Sequence, residues 1–169
     1  MHHLQRSVTF ATGYKDLTMP LKTVTLYASE LTATAPAGAA AVCQASFSAI
    51  SCLGLTKANG TVIFEAKCDV PAYLDSSKDN QVEITSSGGP DTNEWGVPWM
   101  GTINLTTSYA EYSMSLANAI TAGGELNPAG INFFRMYGFM KTGTATLYVR
   151  NVRLRYMPKP YGGLTVQIP

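Results

Sequence analysis

With 169 residues, 46% of them hydrophobic and 14% charged, the chain fits one domain able to bury ~70% of its unfolded surface. Twelve Lys and Arg against eleven Asp and Glu leave a net charge of +1, which gives no electrostatic footprint for nucleic acid. No apolar run reaches the ~18–20 residues of a membrane-spanning helix, so neither nucleic acid nor a membrane is an expected partner.

Few charges beside abundant Thr, Ser, Asn and Gly suggest a secreted bacterial domain. Met1-His2-His3-Leu4 shows no signal peptide and reads as a remnant standing in place of one. Cys43, Cys52 and Cys68 form no C-x-x-C pair, which argues against zinc; they read as buried small hydrophobes, though one disulfide is open to them.

Strand signals recur along the chain with turn residues between them, and no segment carries a helical period. Residues 23–28 alternate cleanly. The Ala-rich stretch 33–41 is broken by Pro36 and Gly38, which argues against a helix. Residues 40–50 read as a strand. Asn59-Gly60 is a turn signal before residues 61–70, where Val62, Phe64, Ala66, Cys68 and Val70 alternate with Glu65, Lys67 and Asp69.

After a polar loop at 75–80, Val82 and Ile84 mark a strand over 81–85. The turn-rich run 86–93 precedes strands expected at 95–105 and 109–116. A strand over 131–140 turns through Lys141-Thr-Gly143 into the last one, 144–156. There Leu147 and Val149 alternate with Tyr148 and Arg150; the phase then slips, so that Val152, Leu154 and Tyr156 continue the apolar face. One extra residue at Arg150-Asn151, a β-bulge, accounts for the slip. About nine short strands without helices predict an all-β antiparallel sandwich, a jelly roll. It should be one domain over 1–157, with 158–169 as a tail or linker.

Gly60–Lys67, Gln81–Thr85, Tyr109–Leu116, Ile131–Tyr137 and Thr146–Leu154 follow one another around an aromatic-rich hairpin. In that order they resemble the β-jelly-roll carbohydrate-binding modules of bacterial plant-cell-wall hydrolases, within the galactose-binding-like sandwiches. The resemblance covers roughly residues 60–156 and rests on pattern. It implies a monomeric, non-catalytic, secreted module that binds β-glucan or a hemicellulose such as xyloglucan and targets a linked glycoside hydrolase to it. It implies no cofactor beyond a structural calcium. Many such modules carry an acidic residue in the closing strand near that ion; the position is Asn151 here, beside Arg150, which puts the calcium in question.

Catalysis is hard to build from these residues. The two histidines are His2 and His3, at a terminus, which removes histidine-based triads and metal sites. Glu65, Glu83, Glu94 and Glu111 lie on expected strands, but eleven acidic residues always supply some carboxylate pair at a glycosidase spacing.

Sugar binding suits the residue types better, because pyranose C–H faces stack on flat aromatics while hydroxyls seek planar hydrogen-bond partners. On an extended strand Trp95 and Trp99 share a face about 13 Å apart, the span of a few sugar units, and Pro98 suggests an accessible edge. If Phe134 and Met136 face the core, then Phe133, Arg135 and Tyr137 line the opposite face. Tyr73 and Asp75 could rim a groove. The outward row Tyr148, Arg150, Arg153 and Arg155, like Glu65, Lys67 and Asp69, reads as a solvated charged exterior. Asp91, Asn93 and Glu94 are oxygen-rich without regular spacing, which is ordinary turn chemistry. The rival reading is a structural or adhesive sandwich making protein contacts, which would bury both tryptophans and expose an apolar patch.

Overall fold

The computed structural model describes residues 20–158. The N-terminal residues with His2 and His3, and the tail from 159 onward, lie outside the described residues.

The strands form where apolar residues alternate with polar ones. They are β1 (Lys22–Tyr27), β2 (Leu31–Pro36), β3 (Ala40–Ile50), β4 (Gly60–Cys68), β5 (Gln81–Thr85), β6 (Glu94–Pro98), β7 (Ala110–Ser115), β8 (Ile120–Ala122), β9 (Ile131–Phe139) and β10 (Thr144–Tyr156). Three single 3-10 turns, Lys57–Asn59, Pro71–Tyr73 and Pro128–Gly130, complete the regular structure among the described residues. The chain is an antiparallel β-sandwich. One sheet runs β1-β10-β4-β7 with β2 also on β10, and the other runs β3-β9-β5-β6-β8.

β10 organises the first sheet because its 13 residues are long enough to hold two short partners end to end. Thr144–Val149 pair with β2 and Val152–Tyr156 with β1, while β4 lies along the other side. Between these stretches Asn151 adopts φ 52°. Arg150 is opposite Glu65 but Arg153 is opposite Ile63, so one extra residue is inserted. That bulge keeps Leu147, Val149, Val152 and Leu154 all fully buried on one face. Each such side chain contributes about 1.5–3 kcal/mol through burial.

Two short strands escaped the sequence pattern. Pro36 and Gly38 do end an extended segment, but that segment is β2, and Gly38 (φ 82°) is the turn into β3. β8 has only three residues, too few to show alternation. The strand expected over 95–105 stops at Pro98. Beyond it, the amides of Thr102 and Ile103 both donate to the Trp99 carbonyl in a turn closed by Gly101 (φ 83°). The three cysteines are unpaired and buried. Burial pushes the thiol of Cys43 up to about 12 and that of Cys52 up to about 11.

Candidate functional site: the outer face of the second sheet

Register assigns every side chain of the second sheet to a face. Val82, Ile84, Trp95, Val97, Phe134 and Met136 belong to the core between the sheets. Their neighbours in sequence therefore point outward. Glu83 is opposite both Gly96 and Arg135, and Arg135 is opposite Gln44. One row thus crosses the sheet from Gly96 through Glu83 and Arg135 to Gln44. The next row holds Pro98 opposite Gln81 and Tyr137 opposite Val42.

Arg135 is the centre of this face. Its Nε donates to Glu83 at 2.5 Å and an Nη donates to Asp91 at 2.9 Å, with Glu94 at 3.9 Å. Glu83 and Glu94 side chains are 2% and 4% exposed, so two carboxyl groups and one guanidinium are packed together with little water. Burial pushes the Glu83 carboxyl up to about 7, Arg135 acts against this, and the neighbouring Glu94 adds to it. One oxygen from each of Glu83, Asp91 and Glu94 lies within 4.8 Å of the others; the cation beside this cluster is the guanidinium itself.

The guanidinium carbon also sits 5.2 Å from the centre of the Tyr137 ring, within cation–π range. Tyr137 meets Phe139 edge-on at 6.0 Å, and the Lys78 ammonium lies 5.7 Å from Phe139. Arg135, Tyr137 and Phe139 thus form a ladder along β9, flanked on β3 by exposed Val42, Gln44 and Ser46. Gly96 leaves room across the sheet: a Cβ there would fall onto the Gln81 carboxamide and crowd Glu83.

Two expected platforms are corrected. Trp95 and Trp99 do share a face, but it is the inward one, and they are 5% and 1% exposed. Register with β5 sets Trp95 opposite Ile84 and Val97 opposite Val82 on the core face, and the indole N–H groups find partners there. Trp95 donates to Glu125 at 3.2 Å and Trp99 to the Tyr137 carbonyl at 2.9 Å. Pro98 does sit on an open stretch of β6: the Trp99 amide bonds to Asn80 in the β5 direction. The missing Pro98 donor therefore faces the side where β8 pairs only as far as Gly96.

Phe133 points away from the core as its spacing suggests, yet it is 3% exposed. The 86–93 loop is tied down beside it: the Gly88 carbonyl accepts from Ser46, opposite Phe133, and the Gly88 amide donates to Asn132. Phe133 therefore offers no stacking surface. Tyr73 is not brought to the Arg135 row either; its ring packs against Gly143 in the β9–β10 turn. Asp75 lies at the end of β9, where its amide bonds to the Phe139 carbonyl. Its carboxylate is engaged by the Ser77 hydroxyl and amide, which hold it below the usual carboxylate range.

Sequence reasoning named Arg135 and Tyr137 but missed Glu83, Asp91 and Glu94 as their partners, along with Gln44, Gln81 and Phe139. Alternation over 81–85 already turned Gln81 and Glu83 outward. What it lacked was the knowledge that β5 lies beside β9.

The outer face of the first sheet is self-paired. Lys67 sits 4.7 and 4.6 Å from the Tyr109 and Tyr148 rings, and Arg150 is 3.8 Å from Tyr109. At the bulge, Glu65 accepts from Asn151 and from Arg150, and Glu111 accepts from Arg153 at 2.9 Å. The residues around Asn151 do not fit a structural calcium. The carboxylates there are neutralised by arginines, and Asn151 presents its amide donor to Glu65.

This sandwich resembles the crystal structure of a family 30 carbohydrate-binding module, with a TM-score of 0.51 at 9% identity, covering 92% of this chain and 96% of that one. The family 30 module of a cellulosomal cellulase of Clostridium thermocellum gives 0.49 at 10% identity, over 74% and 73% of the two chains. The family 11 module of another cellulosomal cellulase of that organism gives 0.43 at 14%, over 79% and 81%. The first of these establishes the fold, and identities this low speak to fold alone. No protein-family model and no curated protein matches the sequence.

Proposed function

We propose that this chain is a carbohydrate-binding module that holds a polysaccharide on the outer face of its second sheet without cleaving it. The observation that carries this reading is the Arg135–Tyr137–Phe139 ladder, with Gln44 and Gln81 across the strands from it. It combines aromatic surface with planar hydrogen-bonding groups on a pre-ordered sheet, which keeps the ordering cost of binding low. The shared sandwich fold is consistent with it. The non-catalytic part rests on the carboxylates near the face, since Glu83 and Asp91 are taken up by Arg135 and Glu94 by the Asp91 amide.

By its sequence resemblance, the ligand is a plant-wall β-glucan or a hemicellulose such as xyloglucan. The module would be secreted and would raise the local concentration of a linked glycoside hydrolase on that polymer. Affinity gel electrophoresis against a panel of soluble polysaccharides tests this. Retardation by one or two β-glucans, lost in Tyr137→Ala, is the expected result; free migration in every gel would refute it.

A second reading, a structural or adhesive sandwich making protein contacts, is favoured by the burial of both tryptophans. Val42 and Ile120, 37% and 50% exposed, also stand on the same outer face. Self-association in sedimentation, lost in Val42→Asp, would select that reading.

A further inference from the structure

The guanidinium that faces the proposed ligand is held from behind by two carboxyl groups that have almost no water. Glu83 on β5 and Glu94 on β6 are diagonal neighbours, since Glu83 is opposite Gly96 and Thr85 is opposite Glu94. Each is nearly inaccessible, and Arg135 is the cation that reaches both. Two buried carboxylates side by side repel strongly, and a proton on Glu83 removes most of that cost.

The charged and titratable groups turned toward this pair can be named element by element. Arg135 and Tyr137 come from β9, Asp91 from the loop between β5 and β6, and Asp79, which acts on Tyr137, from the loop before β5. β3 contributes neutral Gln44 and Ser46. Glu125 and Lys57 belong to the other side of β6, around Trp95.

We propose that proton uptake by Glu83, packed beside Glu94 and Arg135, switches the binding face. With the Glu83 proton in place, Arg135 divides its donors between Glu83 and Asp91 and stays against the Tyr137 ring. When the proton leaves for solvent, the guanidinium is drawn between the two carboxylates, closing its 3.9 Å gap to Glu94. It then gives up Asp91 and its place at Tyr137, and the ligand-facing ladder loses its middle rung. Binding is therefore tighter on the acid side of neutrality. The Glu83 carboxyl, lifted by burial to about 7, places the change near neutral pH.

This inference rests on the sugar-binding reading, so its test has one arm without sugar. In the free protein, carboxyl and arginine side-chain resonances are followed from about pH 5 to about pH 9. The expected result is Glu83 titrating near neutrality, with the Arg135 Nε signal moving in the same step. In Glu83→Gln, whose amide supplies a permanent hydrogen, both changes should vanish. The second arm measures β-glucan affinity across the same range. It should weaken about tenfold in the wild type, the equivalent of one pH unit of differential proton binding, and stay level in Glu83→Gln. A Glu83 carboxyl silent across this range, or an Arg135 signal indifferent to it, overturns the switch. The joint step in the free protein with no β-glucan bound at any pH upholds the switch and refutes the binding reading instead.

Discussion

Trp99 and Tyr137 meet through the thickness of the second sheet. The indole Nε1, on the core side, donates to the Tyr137 carbonyl at 2.9 Å, while the Tyr137 ring stands outside beside Arg135. A side chain expected to touch ligand is instead the support beneath one that faces solvent. Gly138 makes the approach possible, because a Cβ there would press on both the Trp99 ring and Leu74.

Truncating that support should be costly. Trp99→Ala removes a 1%-exposed indole and is expected to destabilise the fold by about 3–5 kcal/mol, read from chemical denaturation. Trp99→Phe keeps most of the volume and loses the hydrogen bond, a smaller loss of about 1 kcal/mol plus the cost of an unpaired carbonyl. In the native protein acrylamide should quench both tryptophans weakly, and saturating β-glucan should leave their emission unchanged.

Gly96 and Gly123 should respond differently to alanine. At Gly96 the new Cβ meets the far end of the Gln81 side chain, which can move. The variant should fold with nearly wild-type stability while ligand affinity drops. At Gly123, φ is 62° and the Cβ would run into the Asp91–Thr92 backbone, so this variant should lose more than the ~1–2 kcal/mol that left-handed backbone costs a non-glycine residue. Thermal unfolding of the pair makes the comparison.

At the bulge, Asn151→Gly should keep the φ of 52° without strain, whereas Asn151→Val should destabilise by ~1–2 kcal/mol more. Calcium should raise the melting temperature of neither variant, nor of the wild type, because Arg150 and Arg153 already serve Glu65 and Glu111. A calcium-dependent rise would show that the ion displaces them.

Stability should respond to pH through two glutamates of opposite sign. The Asn151 amide, with Arg150 and against burial, holds Glu65 below its ordinary 4.5, so its contribution is present above that value and is lost as acid protonates the folded form. Glu83 is raised by burial from 4.5 to about 7. The folded state binds its proton more tightly, so that contribution is complete below pH 4.5 and declines as pH rises toward 7. Glu83→Gln should abolish the decline on the neutral side and leave the acid limb intact, in melting curves taken across the range.

Alternation alone was enough to read β4, β5, β9 and β10, because one buried face per strand writes a period of two into the sequence. The slip at Asn151 was legible for the same reason: Leu147-Val149 and Val152-Leu154 cannot share a face without an extra residue. Period also placed Phe133, Arg135 and Tyr137 opposite Phe134 and Met136, and both tryptophans together on one side. It could not say which side, since Trp95-Gly-Val-Pro-Trp99 carries apolar residues in one phase and no charge in the other to oppose them. That choice came from register with β5, which sets Trp95 opposite Ile84 and Val97 opposite Val82, so the indoles share the core face and find partners at Glu125 and Tyr137. The joining of Arg135 to Glu83, Asp91 and Glu94 across 40 and more residues likewise required the sheet order, because strand pairing is a long-range contact that local spacing does not encode.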